Sequence, residues 1–508
     1  MYNNLSKINI YSKLNSLINY MVRTRFAPSP TGFLHIGNLR TALYSYAFAK
    51  SLGGEFVLRI EDTDMKRYVE GSIEVTEKIL KSLGLKYDEG PDIGGPYAPY
   101  IQSKRLDIYR EKAEELVAKG KAYYCFCTEE RLAEIRQEQM KSKKQPMYDK
   151  KCREISIEKA KERINKGEKY VIRLKVPSGR KLELDDKLLG KVRWDSDGVD
   201  DQVLLKNDGF PTYHLAVVVD DIIMKISHIT RGTEWLPSVP KHILIYEAFN
   251  YKFPIVAHMP VILDPEGGKL SKRKGNVSTE QFLAEGYLPE AILNFLMLLG
   301  WAPKDNREIF SLKEFVKEFS LERLNKSNPV FDRKKLLWFN GEYIRKYSTS
   351  DFTNKFKEWI SNYYENNKVK NVILNDKYLE KKMELIQERV FLLSDAVKQI
   401  QFFYERKSFL DYSSIKGIKD YSKDDLKKVA GDYLTIIKVN YKDINNWRHD
   451  IWEKDIRMLA DRYQWKHADV FMLIRLIICG SHISPPLFES MLIIGQKEII
   501  ARFETFLE

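Results

Sequence analysis

The sequence predicts an α/β protein in which a parallel sheet with crossover helices is interrupted by an inserted domain and followed by a mostly helical region. Strand and helix patterns alternate over residues 22–84, charged helices and short strands replace them over 107–205, and helical patterns dominate from residue 310 onward. Alternating strands and helices are typical of a parallel sheet, because each helix crosses over to bring the next strand alongside the last. The 508 residues suffice for about three or four domains.

The first elements are two short apolar strands, 22–27 (VRTRFA) and 55–60 (EFVLRI), each followed by a helix. Leucines at helical spacing predict the first helix over 36–52, where a Gly-Gly pair ends it, and the second is predicted over 72–83.

The region that follows has a different character and is predicted to be an inserted domain. Helices are predicted over 108–119 and 129–144, and short strands over 170–176 and 202–205. The apolar run 212–219 then resumes the buried core.

Charge is the first indication of a partner. The chain carries 84 Lys and Arg against 71 Asp and Glu, a net charge of +13. This excess favours a polyanion such as a nucleic acid, although net charge also serves solubility. The four cysteines form no disulfide framework and favour a reducing compartment. No run reaches the ~18 apolar residues of a membrane-spanning helix, so no membrane contact is expected.

Residues 1–20 contain no acid and no Arg, and they precede an internal methionine, Met21. We expect a flexible N-terminal extension. Low acidity is a feature of organelle transit peptides, but those are rich in Arg. The expected location is therefore the cytoplasm, with a mitochondrial or plastid matrix as the alternative.

The loop 27–37 (APSPTGFLHIG) joins the first strand to the first helix and places His35 and Gly37 at the helix N-terminus. Free N–H groups and the macrodipole at such an end attract phosphate, and a glycine lets a nucleotide approach the backbone. A lone His there is more often a cap or a packing residue, so a phosphate-binding role needs support from a second sequence motif.

The second motif is the loop 267–275 (GGKLSKRKG), in which four cations fall within seven residues after two glycines. Such a loop can close over a triphosphate and stabilise the charge that develops on leaving pyrophosphate. A basic run is usually a solvated surface or a general nucleic-acid patch. The interior Ser and the flanking glycines favour the phosphate-binding interpretation.

Together, H-I-G at 35–37 and K-L-S-K-R at 269–273 resemble the two signatures of class I aminoacyl-tRNA synthetases, with Asn38 where the class-wide motif has its second His. The stretches RFAPSPTG, LRTAL and LRIEDTD narrow the resemblance to glutamyl-tRNA synthetases of the bacterial and organellar type. Matches continue through FPTYHL, VDD, RGTEW and HMP to PPLFE, so the resemblance covers about residue 22 to the end.

The resemblance implies a class I Rossmann-type, doubly wound catalytic core split by a mixed α/β insertion, then a stem-contact region and an all-helical anticodon-binding domain. It also implies a monomer. The domains expected after the extension 1–20 are the first half of the core (21–107), the inserted acceptor-binding domain (108–205), the second half of the core (206–250), the stem-contact region with the K-L-S-K-R loop (251–345) and the anticodon-binding domain (346–508).

The implied activity is the activation of L-glutamate with ATP and Mg²⁺, followed by transfer to the 3′ end of tRNA(Glu). Arg forks suit carboxylates, and a carboxylate suits the substrate ammonium. The residues implied to be catalytic are His35, Gly37, Lys269 and Lys272. The residues implied at ATP are Ser29, His35, Gly37, Glu234, Val261, Ile262, Lys269 and Lys272. The residues implied at glutamate are Arg25, Ser29, Glu61, Tyr213 and Arg231, and those implied at tRNA are Asp64, Arg67 and Arg389.

Cys125, Cys127 and Cys152 form a C-x-C…C pattern. Three thiolates and a fourth ligand suit tetrahedral zinc, and some bacterial glutamyl enzymes carry a similar site in the inserted domain. A His lies two residues past the third cysteine in some of them, where this chain has Glu154; Tyr148 is another oxygen donor. A structural Zn²⁺ with Tyr148 or Glu154 as fourth ligand, and three reduced thiols without metal, both remain open.

Three alternative functions remain open. A non-discriminating form would also charge tRNA(Gln), and the sequence separates the two poorly because they differ in a few anticodon contacts. The short paralogue that attaches glutamate to a modified base lacks the helical C-terminal region found here. A catalytically inactive tRNA-binding protein is disfavoured by the intact His35, Lys269 and Arg25.

Overall fold

The computed structural model describes residues 21–270, 277–406, 415–441 and 447–508. The predicted extension 1–20 and the loop residues 271–276, with Lys272 among them, lie outside the described residues. The chain divides into two compact units. The first unit runs to Gln281 and resumes over Leu293–Asp332. The second unit comprises Phe282–Ile292 and Arg333–Glu508. The finer six-part division stays a prediction.

The described residues contain nine strands, all in the first unit. In chain order they are β1 (Arg23–Phe26), β2 (Glu55–Leu58), β3 (Ala122–Cys125), β4 (Val171–Leu174), β5 (Lys181–Asp186), β6 (Gly190–Asp195), β7 (Val203–Leu205), β8 (His228–Gly232) and β9 (Ile255–Met259).

The core sheet is parallel, as predicted. β1 pairs with β2, and β8 pairs with β9 with Arg231 opposite His258. The N–H of Ser227, just before β8, donates to Arg23 O at 3.0 Å, which brings β8 beside β1. The strand order β2, β1, β8, β9 has the first strand inside, as in doubly wound folds. The predicted fold class is confirmed.

The insertion between these pairs is mixed α/β. β3, β4 and β7 form an antiparallel sheet, and β5 and β6 form a hairpin. The hairpin is absent from the predictions above, although β5 alternates exposed and buried residues in the manner of a half-buried strand. Lys187, in the hairpin turn, donates its N–H to Val256 O of β9 at 2.9 Å, so the hairpin lies against the core sheet.

The helices of the first unit begin with α1, which follows β1 and positions the site. Ile36, Leu39 and Leu43 of α1 are fully buried, and each such side chain contributes roughly 1.5–3 kcal/mol. The apolar run 212–219, predicted to resume the buried core, lies mostly in a helix, α6. The helices are α1 (Ile36–Ser51), α2 (Ser72–Ser82), α3 (Leu106–Ala118), α4 (Glu129–Lys141), α5 (Ile157–Asn165), α6 (Tyr213–Ile223), α7 (Val239–Ala248), α8 (Thr279–Glu285), α9 (Pro289–Met297) and α10 (Leu312–Glu318); α8 and α9 extend into the second unit.

The second unit is helical throughout its described residues, as predicted. Trp452, Tyr433 and Phe503 are fully buried in the core of its C-terminal helices. Within the part of the chain that the structure describes, no helix is long and apolar enough to span a membrane. The helices are α11 (Arg333–Lys346), α12 (Thr349–Tyr363), α13 (Asn367–Leu374), α14 (Leu379–Ile386), α15 (Leu393–Ile400), α16 (Lys423–Asn440), α17 (His449–Tyr463), α18 (His467–Cys479), α19 (Leu487–Ile494) and α20 (Gln496–Leu507).

Candidate active site

A cavity of about 500 Å³ lies where β1 and β8 end against the N-terminus of α1. Ligands of parallel α/β sheets bind at this position, outside the carboxyl ends of the strands. The predicted ATP and glutamate residues that the structure describes all line it: Arg25, Ser29, His35, Gly37, Glu61, Tyr213, Arg231, Glu234, Val261, Ile262 and Lys269. The fold therefore brings residues from distant parts of the chain to one site.

His35 and Gly37 shape the end of α1 at the cavity. His35 is the N-cap residue, and its Nδ1 accepts a hydrogen bond from the Gly37 N–H at 2.9 Å. The proton of the neutral ring is therefore on Nε2. A Cβ at residue 37 would lie 3.2 Å from His35 Nδ1, so glycine keeps the ring in place. An N-terminus of this kind suits phosphate.

Arg25 and Glu61 are linked through a buried ionic network. Arg25 Nε donates to Asp221 Oδ1 at 3.2 Å. The fully buried Arg59 donates to Asp221 Oδ1 at 2.7 Å and to Glu61 Oε1 at 2.9 Å. Burial raises the pKa of Glu61, against the opposing effect of Arg59 and Arg25. Burial would also raise the pKa of Asp221, but Arg25 and Arg59 outweigh it and lower that pKa.

Within the described part of the chain, Arg231 is held without a carboxylate partner. It is 5% exposed; its Nε donates to His258 Nε2 at 2.9 Å, and its Nη1 lies 3.3 Å from His242 Nδ1. Among the described residues, no acceptor reaches its buried Nη2. Burial lowers the pKa of Arg231. A guanidinium that lines the cavity and has no protein carboxylate on it in the described residues is of a kind that suits a ligand anion.

Glu234 and Lys269 form an ion pair in the lining of the cavity. Lys269 Nζ lies 3.0 Å from Glu234 Oε1, and the two side chains are 56% and 42% exposed. A pair this exposed contributes little to stability, so a phosphate can replace Glu234 at Lys269. Ile262 O accepts from the Leu270 N–H at 2.9 Å, which fixes the start of the basic loop beside Val261.

Sequence reasoning missed several residues that line or support the cavity. Arg40, Thr230 and Trp235 line it. Arg40 is 4% exposed and donates from Nη2 to Pro260 O and from Nη1 to Leu299 O, and burial lowers its pKa. Arg40 lies four residues after Ile36 and three before Leu43, on the buried face of α1. This position was the available signal, because arginine is rarely buried without a partner.

The predicted tRNA residues lie away from the cavity lining. Asp64 Oδ2 accepts from Arg67 Nε at 2.7 Å, and both side chains are exposed. In the second unit, Arg389 is exposed after α14, and its Nη1 donates to Ser484 O at 2.8 Å.

Cys125, Cys127 and Cys152 come together in the insertion, with their sulfur atoms within 4.8 Å of one another. Tyr148 Oη lies 3.3 Å from the Sγ atoms of Cys125 and Cys127. The hydrogen bond from Cys125 lowers the pKa of Cys152 to about 6. Glu154 is not brought to the cluster: its side chain is 83% exposed and lies near Arg153 and Lys175. Of the two oxygen donors named from the sequence, only Tyr148 is in place.

Comparisons with known proteins agree with this geometry. Residues 21–338 match the family "tRNA synthetases class I (E and Q), catalytic domain", and residues 351–507 match "Anticodon binding domain". The chain is 42% identical to a glutamate–tRNA ligase of Dehalococcoides mccartyi over 484 residues, 95% of this chain and 96% of that one. It is 41% identical to one of Borreliella afzelii over 488 residues, 95% and 97% of the two chains.

Solved structures show the same likeness. The crystal structure of a glutamate tRNA ligase from Elizabethkingia meningosepticum in complex with its amino acid superposes with a TM-score of 0.80 at 37% identity, covering 96% of this chain and 99% of that one. A glutamate-tRNA synthetase from Elizabethkingia anophelis gives a TM-score of 0.80 at 37% identity, covering 96% and 100%. The family match over more than half of the chain and the identity to these relatives show that the chain belongs to the class I tRNA synthetases of the glutamate and glutamine (E and Q) family.

Proposed function

We propose that the chain is a glutamate–tRNA ligase, which activates L-glutamate with ATP and transfers it to the 3′ end of tRNA(Glu). The observation that carries the proposal is one cavity that brings Arg25, Arg231 and Glu61 together with the N-terminus of α1. Arg25 and Arg231 suit the two carboxylates of glutamate, and Glu61 suits its ammonium group. Ser29 and Tyr213, which line the same cavity, complete the glutamate side.

In the first step, a carboxylate oxygen of glutamate attacks the α-phosphorus of ATP. A C–O–P link forms, the bond between the α-phosphorus and its bridging oxygen breaks, and pyrophosphate leaves with that electron pair. Phosphoryl-type transfer depends on positioning and charge neutralisation more than on a protein nucleophile. Magnesium enters with the substrate as MgATP.

The phosphate side of the cavity supplies those two requirements. The N-terminus of α1 offers the positive end of the helix macrodipole, and the ring of His35, which caps the helix, carries its proton on Nε2. Lys269 releases Glu234 to meet the departing pyrophosphate. Lys272 is proposed to act beside Lys269. Glu234, Val261 and Ile262 hold the nucleoside.

In the second step, a terminal ribose hydroxyl of tRNA attacks the carbonyl carbon of the adenylate, and AMP leaves. The insertion is proposed to hold the acceptor end, with Asp64 and Arg67 near it, and the second unit to read the anticodon, with Arg389 contributing. Exposed Arg and aromatic side chains suit phosphates and splayed bases. The net charge of +13 favours this partner. A monomeric, cytoplasmic enzyme is proposed, in keeping with cysteines that are all unpaired in the described residues.

The cysteine cluster fits a structural zinc ion. Tetrahedral Zn²⁺ with Zn–S bonds of ~2.3 Å holds its sulfur ligands about 3.8 Å apart, and Cys127 Sγ and Cys152 Sγ lie 3.6 Å apart. Tyr148 would be the fourth ligand. Zinc would crosslink β3 to the segment 148–152. Cys127→Ser should therefore lose the metal measured by plasma mass spectrometry, Tyr148→Phe should bind it more weakly, and Glu154→Gln should keep it. Equal metal content in all three variants would contradict the assignment.

The function is tested by charging purified tRNA(Glu) and tRNA(Gln) with labelled glutamate in the presence of MgATP. Charging of tRNA(Glu) alone is the expected result. Charging of both would instead indicate the non-discriminating form and direct attention to Arg389. Charging of neither by a protein that binds ATP would refute the ligase proposal.

A further inference from the structure

The partners of Arg231 form a continuous buried chain of hydrogen bonds. His258 on β9 accepts from Arg231 and contacts Asp186 Oδ2 through Nδ1 at 2.6 Å. On the other side, His242 of α7 contacts Arg231 through Nδ1 and His214 of α6 through Nε2, at 3.1 Å. His258, His242 and Asp186 are all nearly or fully buried.

The chemistry of arginine fixes the proton positions in this chain. A guanidinium group can only donate hydrogen bonds, so His258 Nε2 and His242 Nδ1 must both carry lone pairs. The other ring nitrogen of each imidazole then carries the proton. His258 Nδ1–H donates to Asp186, and His242 Nε2–H donates to His214. The opposite tautomer of His258 would set an N–H against the N–H of Arg231 and displace it.

Asp186 is well placed to select the tautomer of His258. Its Oδ1 accepts from the N–H groups of Leu188 and Leu189 at 2.9 Å each. Its Oδ2 accepts from the His258 N–H at 3.1 Å and from His258 Nδ1. These donors keep the carboxylate ionised and fixed in orientation. Asp186 is the last residue of β5, so a residue of the insertion acts on the glutamate side of the core.

We propose that Asp186 and His258 are positioning residues for Arg231: Asp186 fixes the tautomer of His258, and His258 holds the guanidinium, which lines the cavity, in position for a carboxylate of the amino-acid substrate. The inference rests on the proposed function and assigns roles beyond it, since neither residue lines the cavity. Neutral partners leave the charge of Arg231 for the substrate, whereas a carboxylate in direct contact would neutralise it and compete with the substrate.

Two substitutions of His258 separate its two hydrogen bonds. His258→Gln keeps an acceptor near the place of Nε2 and loses the contact to Asp186. His258→Asn keeps a donor near Nδ1 and loses the acceptor for Arg231. We expect His258→Asn to raise the KM for glutamate by about tenfold to a hundredfold, the effect of one hydrogen bond to a charged group, with kcat and the KM for ATP nearly unchanged. For His258→Gln we expect a rise of less than about threefold.

A double-mutant cycle tests Asp186. Asp186→Asn should raise the KM for glutamate by about fivefold in the wild-type background and have almost no effect in His258→Gln, because glutamine has no tautomer to fix. The matched controls are Asp185→Asn, on the exposed face of β5, and His228→Asn. His228 lies on the same strand as Arg231, and its ring contacts Ser227 Oγ instead. Both controls should keep the wild-type KM.

The outcomes are distinguishable. Equal KM values for His258→Asn and His258→Gln, or an Asp186→Asn effect of the same size in both backgrounds, would overturn the positioning role in an enzyme that still charges tRNA. A wild-type protein that fails to charge glutamate would overturn the proposed function itself. Thermal unfolding of each variant identifies any variant that does not fold, and the double-mutant cycle is evaluated with the variants that do fold.

Discussion

Replacing Arg231 with glutamine is the sharpest test of how the site selects its amino acid. Arg231→Gln keeps a donor of similar shape and removes the buried charge. Nη2 has no acceptor among the described residues, and the other donors contact only imidazoles. The variant therefore loses a cation that no protein carboxylate contacts directly, and the substrate carboxylate loses its partner.

The expected magnitude follows from that contact. A hydrogen bond to a charged group contributes about 1.5–3 kcal/mol, which corresponds to a rise of about 10- to 150-fold in the KM for glutamate. Glutamine keeps the α-carboxylate and differs only at the side chain. With Arg231 assigned to the side-chain carboxylate, the neutral amide of glutamine loses only an ordinary hydrogen bond, worth about 0.5–1.5 kcal/mol. The preference for glutamate over glutamine should therefore fall by about tenfold.

The assay is steady-state charging of tRNA(Glu) with each labelled amino acid, with thermal unfolding as the check on folding. The matched control is Arg180→Gln, because Arg180 forms a half-exposed pair with Glu247 outside the cavity lining. An unchanged KM for glutamate and an unchanged preference in a folded Arg231→Gln variant would refute the assignment of this arginine to a substrate carboxylate.

Three further predictions concern the ATP side, the buried network and pH. Gly37→Ala, with its Cβ 3.2 Å from His35 Nδ1, should raise the KM for ATP by about tenfold and leave the KM for glutamate unchanged. The control is Gly431→Ala, which has nothing within 4 Å of its Cβ; equal KM values for ATP in the two variants would contradict the role of the His35 cap. Arg59→Met leaves Glu61 and Asp221 without their shared cation and should lower the free energy of unfolding in urea by about 3–5 kcal/mol; a loss below about 1 kcal/mol would show that water reaches the network. Burial lowers the pKa of His214 from 6.5 to about 4, so the unfolded state binds more protons between those pH values and the stability of the fold should rise with pH across that window. His214→Gln should reduce this rise by up to about 3 kcal/mol, and an identical pH dependence of stability in calorimetry would show that His214 does not titrate there.

The sequence by itself determined the family, the first strands and helices of the core, and eleven of the 23 described residues that line the cavity. This was possible because the chemistry of phosphate and carboxylate binding restricts residue types within short local motifs, such as H-I-G at the start of α1. It also singled out Cys125, Cys127 and Cys152 by their spacing, with a zinc site and three reduced thiols both left open, and the structure brings the three together.

Only the tertiary structure decided how those side chains are held. The residues that hold the site lie far apart in the sequence: Asp221 is 196 residues from Arg25, and Asp186 is 72 residues from His258, which in turn contacts Arg231. No local pattern records such pairings, because they arise where strands and helices from separate segments pack together. The same holds for the fourth donor at the cysteines, where Tyr148 points inward and Glu154 lies in solvent. Composition and spacing select the chemical groups, whereas packing sets their orientation, protonation and unfilled donors.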